Sequence, residues 1–516
     1  MDALLKKFDY KYMPYENDFL QRELRSLFPD HLVTDEGNRL ILHEVVESDI
    51  LKLKRLTYIS SFVYLENEYY TDQYMLEHGT SLNYKRQNTR YATHGLHEYK
   101  GKYNPQIVRA IINYFGLTAG DKVLDPFCGS GTTQVECALS GIESTGTDIN
   151  PLAVEISNLK ISALTLDCNA AKLHLSKLYA LLINMDSDSN HSLDSARLEY
   201  LLRWIPKETL FALEKVRNYS QTINSAVGML FVLSASNLIR EYSLQEPLDL
   251  RIRRRISPLP EKKFRDAWKE LVAHQLTCIE LFQRNLHTRP ANGCALNVDI
   301  RKTNELETGF NAAITSPPYA TALPYIDTQR ISLVWLGLCD PTEIMSLESS
   351  LIGSRELYHI NKDKLYDKMF RNDNNLPTNV YNLILELQNN LSPDDGFRKR
   401  AVPLLLYRYF SDMKQMFERV HPLLNERAKY ALVVGNNKTT IGGKTTVIDT
   451  PQLLSAIATN CGWTTEELIP LQTYQRYGLN SKNAINQETL VILKKSLLNN
   501  AKSPINASKT RRNVLY

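Results

Sequence analysis

Two short stretches nearly two hundred residues apart constrain this chain most. The first is Val123-Leu124-Asp125-Pro126-Phe127-Cys128-Gly129-Ser130-Gly131-Thr132-Thr133, and the second is Thr315-Ser316-Pro317-Pro318-Tyr319. Each closes an apolar run that reads as a buried strand. A strand ending in Asp125, then Phe127-x-Gly129-x-Gly131, then a helix, is a tight turn with close backbone approach to a ligand. Glycine is needed where φ is positive or where a Cβ would collide with that ligand. The helix from Thr132 offers free N–H groups. Asp148 closes the next strand, 23 positions after Asp125. A carboxylate about 20 residues past such a turn can accept from both hydroxyls of a ribose. A phosphate loop would need Gly-Lys-Ser/Thr, and Thr132 follows Gly131 with no lysine. A dinucleotide turn would need a third glycine, where Val135-Glu136 stand.

Length and composition bound the rest. At 516 residues the prior is two or three units. With 43% hydrophobic and 23% charged residues, the chain can bury large cores. No apolar run is long enough for a membrane span, and no signal core opens the chain, so the expected compartment is the cytoplasm. The seven cysteines, Cys128, Cys137, Cys168, Cys278, Cys294, Cys339 and Cys461, include no Cys-x-x-Cys pair. Reduced, mostly buried thiols are expected, with no metal site. A net charge of +4 permits a nucleic-acid partner without demanding one.

Five regions follow from the patterning. Residues 1–90 read as an N-terminal α/β extension, with an amphipathic helix from Glu16 to Phe28 and a strand at Arg39–Leu42. Residues 91–165 carry the glycine turn in a βαβ unit, with strands at Lys122–Leu124 and Glu143–Thr147 and helices at Thr132–Ser140 and Pro151–Leu159. Residues 166–292 read as a helical insertion: Ala170–Asn184, Ser192–Leu202, Lys207–Asn218, Ser225–Glu241 and Glu261–Asn285. In it, Gln245–Pro260 is a basic loop. In residues 293–497 the α/β rhythm returns, with strands at Ala295–Asp299, Ala312–Thr315, Tyr430–Val434, Glu467–Leu471 and Thr489–Lys494 and helices at Phe410–His421 and Pro451–Cys461. Residues 340–400 there read as polar and irregular, with Asn and Asp clustered at Asn372–Asn375. The basic tail 498–516 reads as disordered.

Asp125 to Thr133 resembles motif I of the S-adenosylmethionine-dependent amino-methyltransferases that act on nucleic acids. The resemblance implies that Asp125, Phe127, Gly129, Gly131 and Thr132 line the methionine end of the cofactor. It implies that Asp148, in Gly146-Thr147-Asp148-Ile149-Asn150-Pro151, binds the ribose. Asp299, in Asn297-Val298-Asp299-Ile300, would stand near the adenine amino group. Thr93 to Gln106 resembles motif X, which closes over the cofactor's amino-acid end and brings in Tyr99 and Pro105. Here Lys100 and Gly101 replace the family's usual Pro and Ala. His94 and His97 stand in it, with structural bonding and cofactor contact weighted about evenly. The likeness covers roughly 91–160, 294–356 and 400–495. It implies a Rossmann-like α/β fold with a seven-stranded sheet, mostly parallel with an antiparallel last strand.

Ser316, Pro317, Pro318 and Tyr319 resemble the catalytic motif of that family, and the residues suit its chemistry. The lone pair of an exocyclic amine is delocalised into its base. Acceptors aimed at both N–H bonds localise it, and Ser316 Oγ and the Pro317 carbonyl are such acceptors. Pro317 and Pro318 stiffen the backbone that presents them. Tyr319 offers a ring on which an extruded base can stack. Positioning supplies most of the rate, and no covalent intermediate is needed. Ser in the first motif position is commonest in the cytosine-N4 branch, whereas Asp or Asn points to adenine-N6. Carbon-5 methylation needs a Pro-Cys pair, which is absent. The expectation is a site-specific cytosine-N4 methylase of a restriction–modification system, with duplex DNA and a restriction endonuclease for the same site as partners. Arg251, Arg253, Arg254 and Arg255 would contact phosphates, against the alternative of a solvated basic loop. The rivals are an RNA guanine-N2 methyltransferase, an adenine-N6 DNA methyltransferase and, last, a non-catalytic nucleic-acid-binding protein.

Overall fold

The computed structural model describes residues 1–37, 39–78, 87–184, 195–249, 252–286, 288–320, 325–472 and 487–496. The central sheet holds β1 (Lys122–Asp125), β2 (Glu143–Thr147), β3 (Gly293–Leu296), β4 (Phe310–Thr315), β5 (Leu424–Gly435), β6 (Trp463–Gln472) and β7 (Gln487–Lys495). Their order across the sheet is β6-β7-β5-β4-β1-β2-β3. Neighbours from β5 to β3 pair in parallel, and β7 lies antiparallel between β5 and β6. This is the expected Rossmann-like methyltransferase sheet, with its last strand reversed.

The strands are apolar on both faces because both faces are covered. Val123, Ala312, Ile314, Ala431 and Val433 point into one core, and Leu124, Ala313, Leu432 and Val434 into the other. The main covering helices are α1 (Pro105–Tyr114), α2 (Thr132–Leu139), α3 (Pro151–Ser162), α4 (Tyr325–Leu336), α5 (Val402–Val420) and α6 (Thr450–Asn460). α1 belongs to the first core, while α5 and α6 close the second. In such a sheet ligands bind beyond the carboxyl ends of the strands, where the strand order reverses. Here that point is the gap between β1 and β4.

The N-terminal region contains more sheet than the sequence reading found. Val33–Asp35, Arg39–Leu42, Ala3–Lys7, Ile59–Tyr64 and Asn67–Tyr70 pair antiparallel in that order. The helix Pro14–Leu27 buries Phe19, Leu20, Leu24 and Leu27 in the core shared with α1. Arg22 on its outer side grips Glu467 of β6 with two bonds of 2.7 Å.

Residues 168–284 form long helices: Cys168–Ile183, Ala196–Leu202, Lys207–Ser220, Ser225–Tyr242 and Phe264–Arg284. Phe264, Trp268, Val272, Leu276, Ile279 and Phe282 recur at three- and four-residue steps and are buried. Gln275 donates to the Leu96 carbonyl at 2.7 Å and accepts from Ser234 at 2.5 Å, which ties this bundle to the segment before α1.

Four expectations need correction. Residues 340–400 are not irregular: Ile344–Ser350, Lys362–Arg371, Thr378–Asn389 and Phe397–Arg400 are helical. Val380, Ile384 and Leu387 form a buried stripe in the core shared with α5. The asparagine cluster punctuates these helices: Asn372 (φ 49°) caps one in the left-handed region, and Asn375 (φ 48°) turns toward the next. α5 begins at Val402, eight residues before Phe410. β3 ends at Leu296, so Asp299 lies in the following loop. A hairpin of Asn437–Ile441 and Lys444–Ile448, turned by Gly442-Gly443, follows β5 and was not foreseen. The tail and Arg251 lie outside the described residues. Among the described residues no helix is long and apolar enough to cross a membrane, and no cluster of metal ligands occurs. All seven cysteines are free thiols.

Candidate active site

β1 and β4 are hydrogen-bonded neighbours, with Val123 opposite Ala312 and Leu124 opposite Ala313. Their carboxyl ends carry the two motifs. Thr315 Oγ1 donates to Asp125 Oδ1 at 2.5 Å, so the motifs are joined just behind the wall of one cleft of about 2920 Å³. Phe127, Gly129, Thr132, Asp148, Ser316 and Tyr319 are among the residues on its wall.

The glycine turn has the geometry its sequence demands. Gly129 (φ 47°) and Gly131 (φ 78°) are in the left-handed region. A Cβ on Gly131 would lie 2.4 Å from Ser157 Oγ, because α2 starts hard against α3. A Cβ on Gly129 would meet the Tyr99 ring at 3.4 Å. The Gly129 N–H donates to Asp148 Oδ2 at 3.0 Å, and the Asn150 N–H donates to Oδ1 at 2.8 Å. Each bond leaves a lone pair of the half-buried carboxylate free. Burial pushes Asp148 up to about 6, as it does Asp125.

Three predicted cofactor residues stand behind the wall. Asp125 is fully buried, holding Thr315 and the Phe127 N–H. Gly131 begins α2 from behind. Pro105 is buried at the first position of α1, whose capping residue Asn104 reaches the cleft in its place. Tyr99 does line the cleft, its ring stacked on Tyr325 at 6.4 Å between centroids. Asp299 lines it too, but Arg301 binds both its oxygens at 2.9 and 2.8 Å and holds it below the usual carboxylate range against the effect of burial.

The motif X histidines differ in surroundings. His94 is buried against Glu136 at 2.7 Å, and Glu136 also takes Arg109 Nε and the Tyr91 hydroxyl at 2.8 Å each. His94 is therefore a structural link. His97 bonds the Glu98 carbonyl at 2.8 Å and reaches the cleft wall. Burial pulls both down to about 4, so both are neutral at pH 7. Burial pushes the Cys128 thiol up, as suits a small packed side chain.

At the second motif, Ser316 Oγ donates its one proton to the Val433 carbonyl at 3.1 Å. Its lone pairs are left to accept. Tyr409 donates to the Pro318 carbonyl at 3.1 Å, and Asn437 of the unforeseen hairpin donates to the Ala320 carbonyl at 2.9 Å. The Tyr319 hydroxyl donates to Glu488 at 2.5 Å. Glu488, Asn437 and Arg240 on the cleft wall escaped the sequence reading. Each stands alone in its own segment, with no local pattern to mark it.

The basic loop is turned differently from expectation. Arg255 gives its guanidinium to the carbonyls of Ser257, Glu241, Ser243 and Pro258. Arg254 donates to the Arg203 carbonyl and lies over the Trp204 ring at 5.4 Å. Arg253 is exposed, 3.7 Å from Asp249. Arg240, on Ser225–Tyr242, lines the cleft as Arg255 does, but its Nε and Nη2 are buried and lack an acceptor.

This surface fits an adenosyl cofactor. Asp148 presents free lone pairs, the glycines keep side chains out of the turn, and Ser130 Oγ is buried on the cleft wall without a partner.

A family described as DNA methylase matches residues 35–159. That match begins well before residue 91, so it takes in part of the N-terminal region that the motifs left outside. Type II methyltransferase M.MvaI of Kocuria varians is 24% identical over 384 residues, 69% of this chain and 79% of that protein. Type II methyltransferase M.MjaII of Methanocaldococcus jannaschii is 39% identical over 92 residues, 18% of this chain and 16% of that protein. A tRNA (guanine(10)-N2)-dimethyltransferase of Methanothermobacter thermautotrophicus is 42% identical over 57 residues, 11% of this chain and 17% of that protein.

Proposed function

We propose, from the premise that this chain belongs to the S-adenosylmethionine-dependent amino-methyltransferases of the N4/N6 DNA methylase family, that it methylates the N4 amine of a cytosine flipped out of duplex DNA. The observation that carries the reading is the 2.5 Å bond from Thr315 to Asp125, buried behind the wall, which joins the glycine turn to the serine–proline corner so that Gly129 and Ser316 line one cleft.

The cofactor supplies an electrophilic methyl group, and the chain's own residues bind and orient. Asp148 accepts from the ribose hydroxyls, and the free N–H groups at the start of α2 and Ser130 Oγ meet the amino-acid end. Ser316 Oγ and the Pro317 carbonyl accept the two N–H bonds of the target amine. Because the Ser316 proton already points at Val433, the oxygen is fixed as an acceptor. Tyr319 stacks on the base.

Ser316 in the first motif position favours cytosine-N4 over adenine-N6. The long likeness to a Type II methyltransferase favours a site-specific modification enzyme in the cytoplasm, paired with a restriction endonuclease for the same site. Arg240 and Arg253 are the phosphate contacts in this reading, in place of Arg254 and Arg255. RNA guanine-N2 methylation is the second reading, favoured by the short tRNA-enzyme likeness and disfavoured by Ser316. Incubation with labelled cofactor and either duplex DNA or tRNA separates them: label is expected in DNA, and label confined to tRNA refutes the proposal.

A further inference from the structure

Glu488 stands at the start of β7, opposite Gly435 of β5, and shares the cleft wall with the Ser-Pro-Pro-Tyr loop. The other carboxylates near the two motifs are engaged elsewhere. Asp148 holds the Gly129 and Asn150 amides, Asp299 holds Arg301, and Glu98 holds Arg90 at 2.7 Å. Among the described residues, Glu488 is the cleft carboxylate with a hydrogen bond into the loop, the 2.5 Å bond from the Tyr319 hydroxyl. Burial, and then the Glu488 charge, push that hydroxyl well above its usual range, so it stays a donor.

Methylating an amine moves positive charge onto the base. The nitrogen lone pair forms the new N–C bond, the electron pair of the broken C–S bond stays with sulfur, and the charge passes to the base. A proton then leaves the nitrogen for water. A tyrosine ring attracts a cation through its face, and a carboxylate bonded to its hydroxyl adds to the field that favours the cation.

We propose that Glu488 is a positioning residue for the methylation reaction. Through Tyr319 it fixes the ring on which the target base stacks and stabilises the charge that the base acquires. The inference rests on the amino-methylation reading. Its test uses the full chain with Glu488→Gln, Tyr319→Phe and the double variant. The glutamine keeps the size and can still accept from Tyr319, so folding is spared.

Each single variant is expected to lower the single-turnover methylation rate about tenfold, the scale of a hydrogen bond to a charged group. The double variant is expected to fall no further, because the Glu488 charge acts through the Tyr319 hydroxyl, and losing either one ends the same effect. Cofactor affinity and melting temperature are expected to match the wild type. In the ligand-free protein, the tyrosine ultraviolet difference spectrum is expected to change in Glu488→Gln, with no such change when the glutamine is introduced into Tyr319→Phe. An active wild type with Glu488→Gln at full rate overturns the inference alone, as do losses that multiply in the double variant. A wild type that methylates neither DNA nor RNA overturns the functional reading and the inference with it.

Discussion

The glycine turn at Asp125–Thr133 and the arginine loop at Gln245–Pro260 are both dense sequence signals, yet they translated into structure differently. In the turn, each residue type answers a backbone requirement: positive φ at Gly129 and Gly131, and no room for a Cβ beside Ser157. In the loop, the signal is charge, and charge carries no direction. Arg255 borders the cleft but gives its guanidinium to carbonyls, those of Ser257 and Pro258 in its own loop and of Glu241 and Ser243 just before it. Arg240, which stands in no basic run, also borders the cleft, and its Nε and Nη2 are buried without an acceptor. A guanidinium has five donors and satisfies them wherever acceptors lie nearest.

The sharpest break in this comparison comes from the serine–proline corner that shares the cleft with the turn. Ser316→Ala is expected to lower turnover on the order of 10²–10³-fold, as loss of a preorganised polar contact does, while cofactor affinity stays nearly unchanged. Equal loss of both in turnover and binding assays contradicts the assigned role.

Gly131→Ala is next. It forces a side chain into the left-handed region and against Ser157, and is expected to cost about 1–3 kcal/mol in chemical denaturation. A variant of unchanged stability would mean that α2 and α3 can part without cost.

Asp148 gives a pH signature. Its folded pKa of about 6 is above the ordinary carboxylate value, so the apo protein holds more protons than the unfolded chain between that ordinary value and 6. Its contribution to apo stability therefore rises as pH falls through 6, and is lost as pH rises above it. Cofactor binding needs the ionised form as an acceptor and is expected to weaken as pH falls below about 6. Calorimetric titration across this window checks it, and Asp148→Asn is expected to flatten the profile. A wild-type affinity that does not change from pH 5 to 8 contradicts the ribose role.

The smallest effect separates the arginines. Arg240→Ala is expected to reduce the salt slope of DNA binding by about 1, and Arg255→Ala to leave the slope unchanged while loosening its loop. The reverse result restores Arg255 as the phosphate contact in place of Arg240.

The same contrast explains what was legible in the sequence. β1, β2 and β4 and the helices of 168–284 could be read because their periodicity and their turn residues agree. The helices within 340–400 were missed because the asparagines that cap and turn them, Asn372 and Asn375, look like loop composition when the buried stripe of Val380, Ile384 and Leu387 is not weighed beside them. Three of the residues singled out in the motifs, Gly129, Asp148 and Ser316, do line the cleft, and at Gly129 a positive φ limits the residue choice. Glu488 and Asn437 could not be read, because they reach the cleft through strand order and a hairpin rather than through spacing in the chain.

The most direct measurement is the identity of the modified nucleoside. Duplex DNA methylated by the purified protein, digested and resolved by mass spectrometry, is expected to yield N4-methyl-2′-deoxycytidine. N6-methyldeoxyadenosine as the product would contradict the cytosine assignment, and no modified nucleoside in any duplex, with methylguanosine in tRNA instead, would contradict the DNA reading altogether.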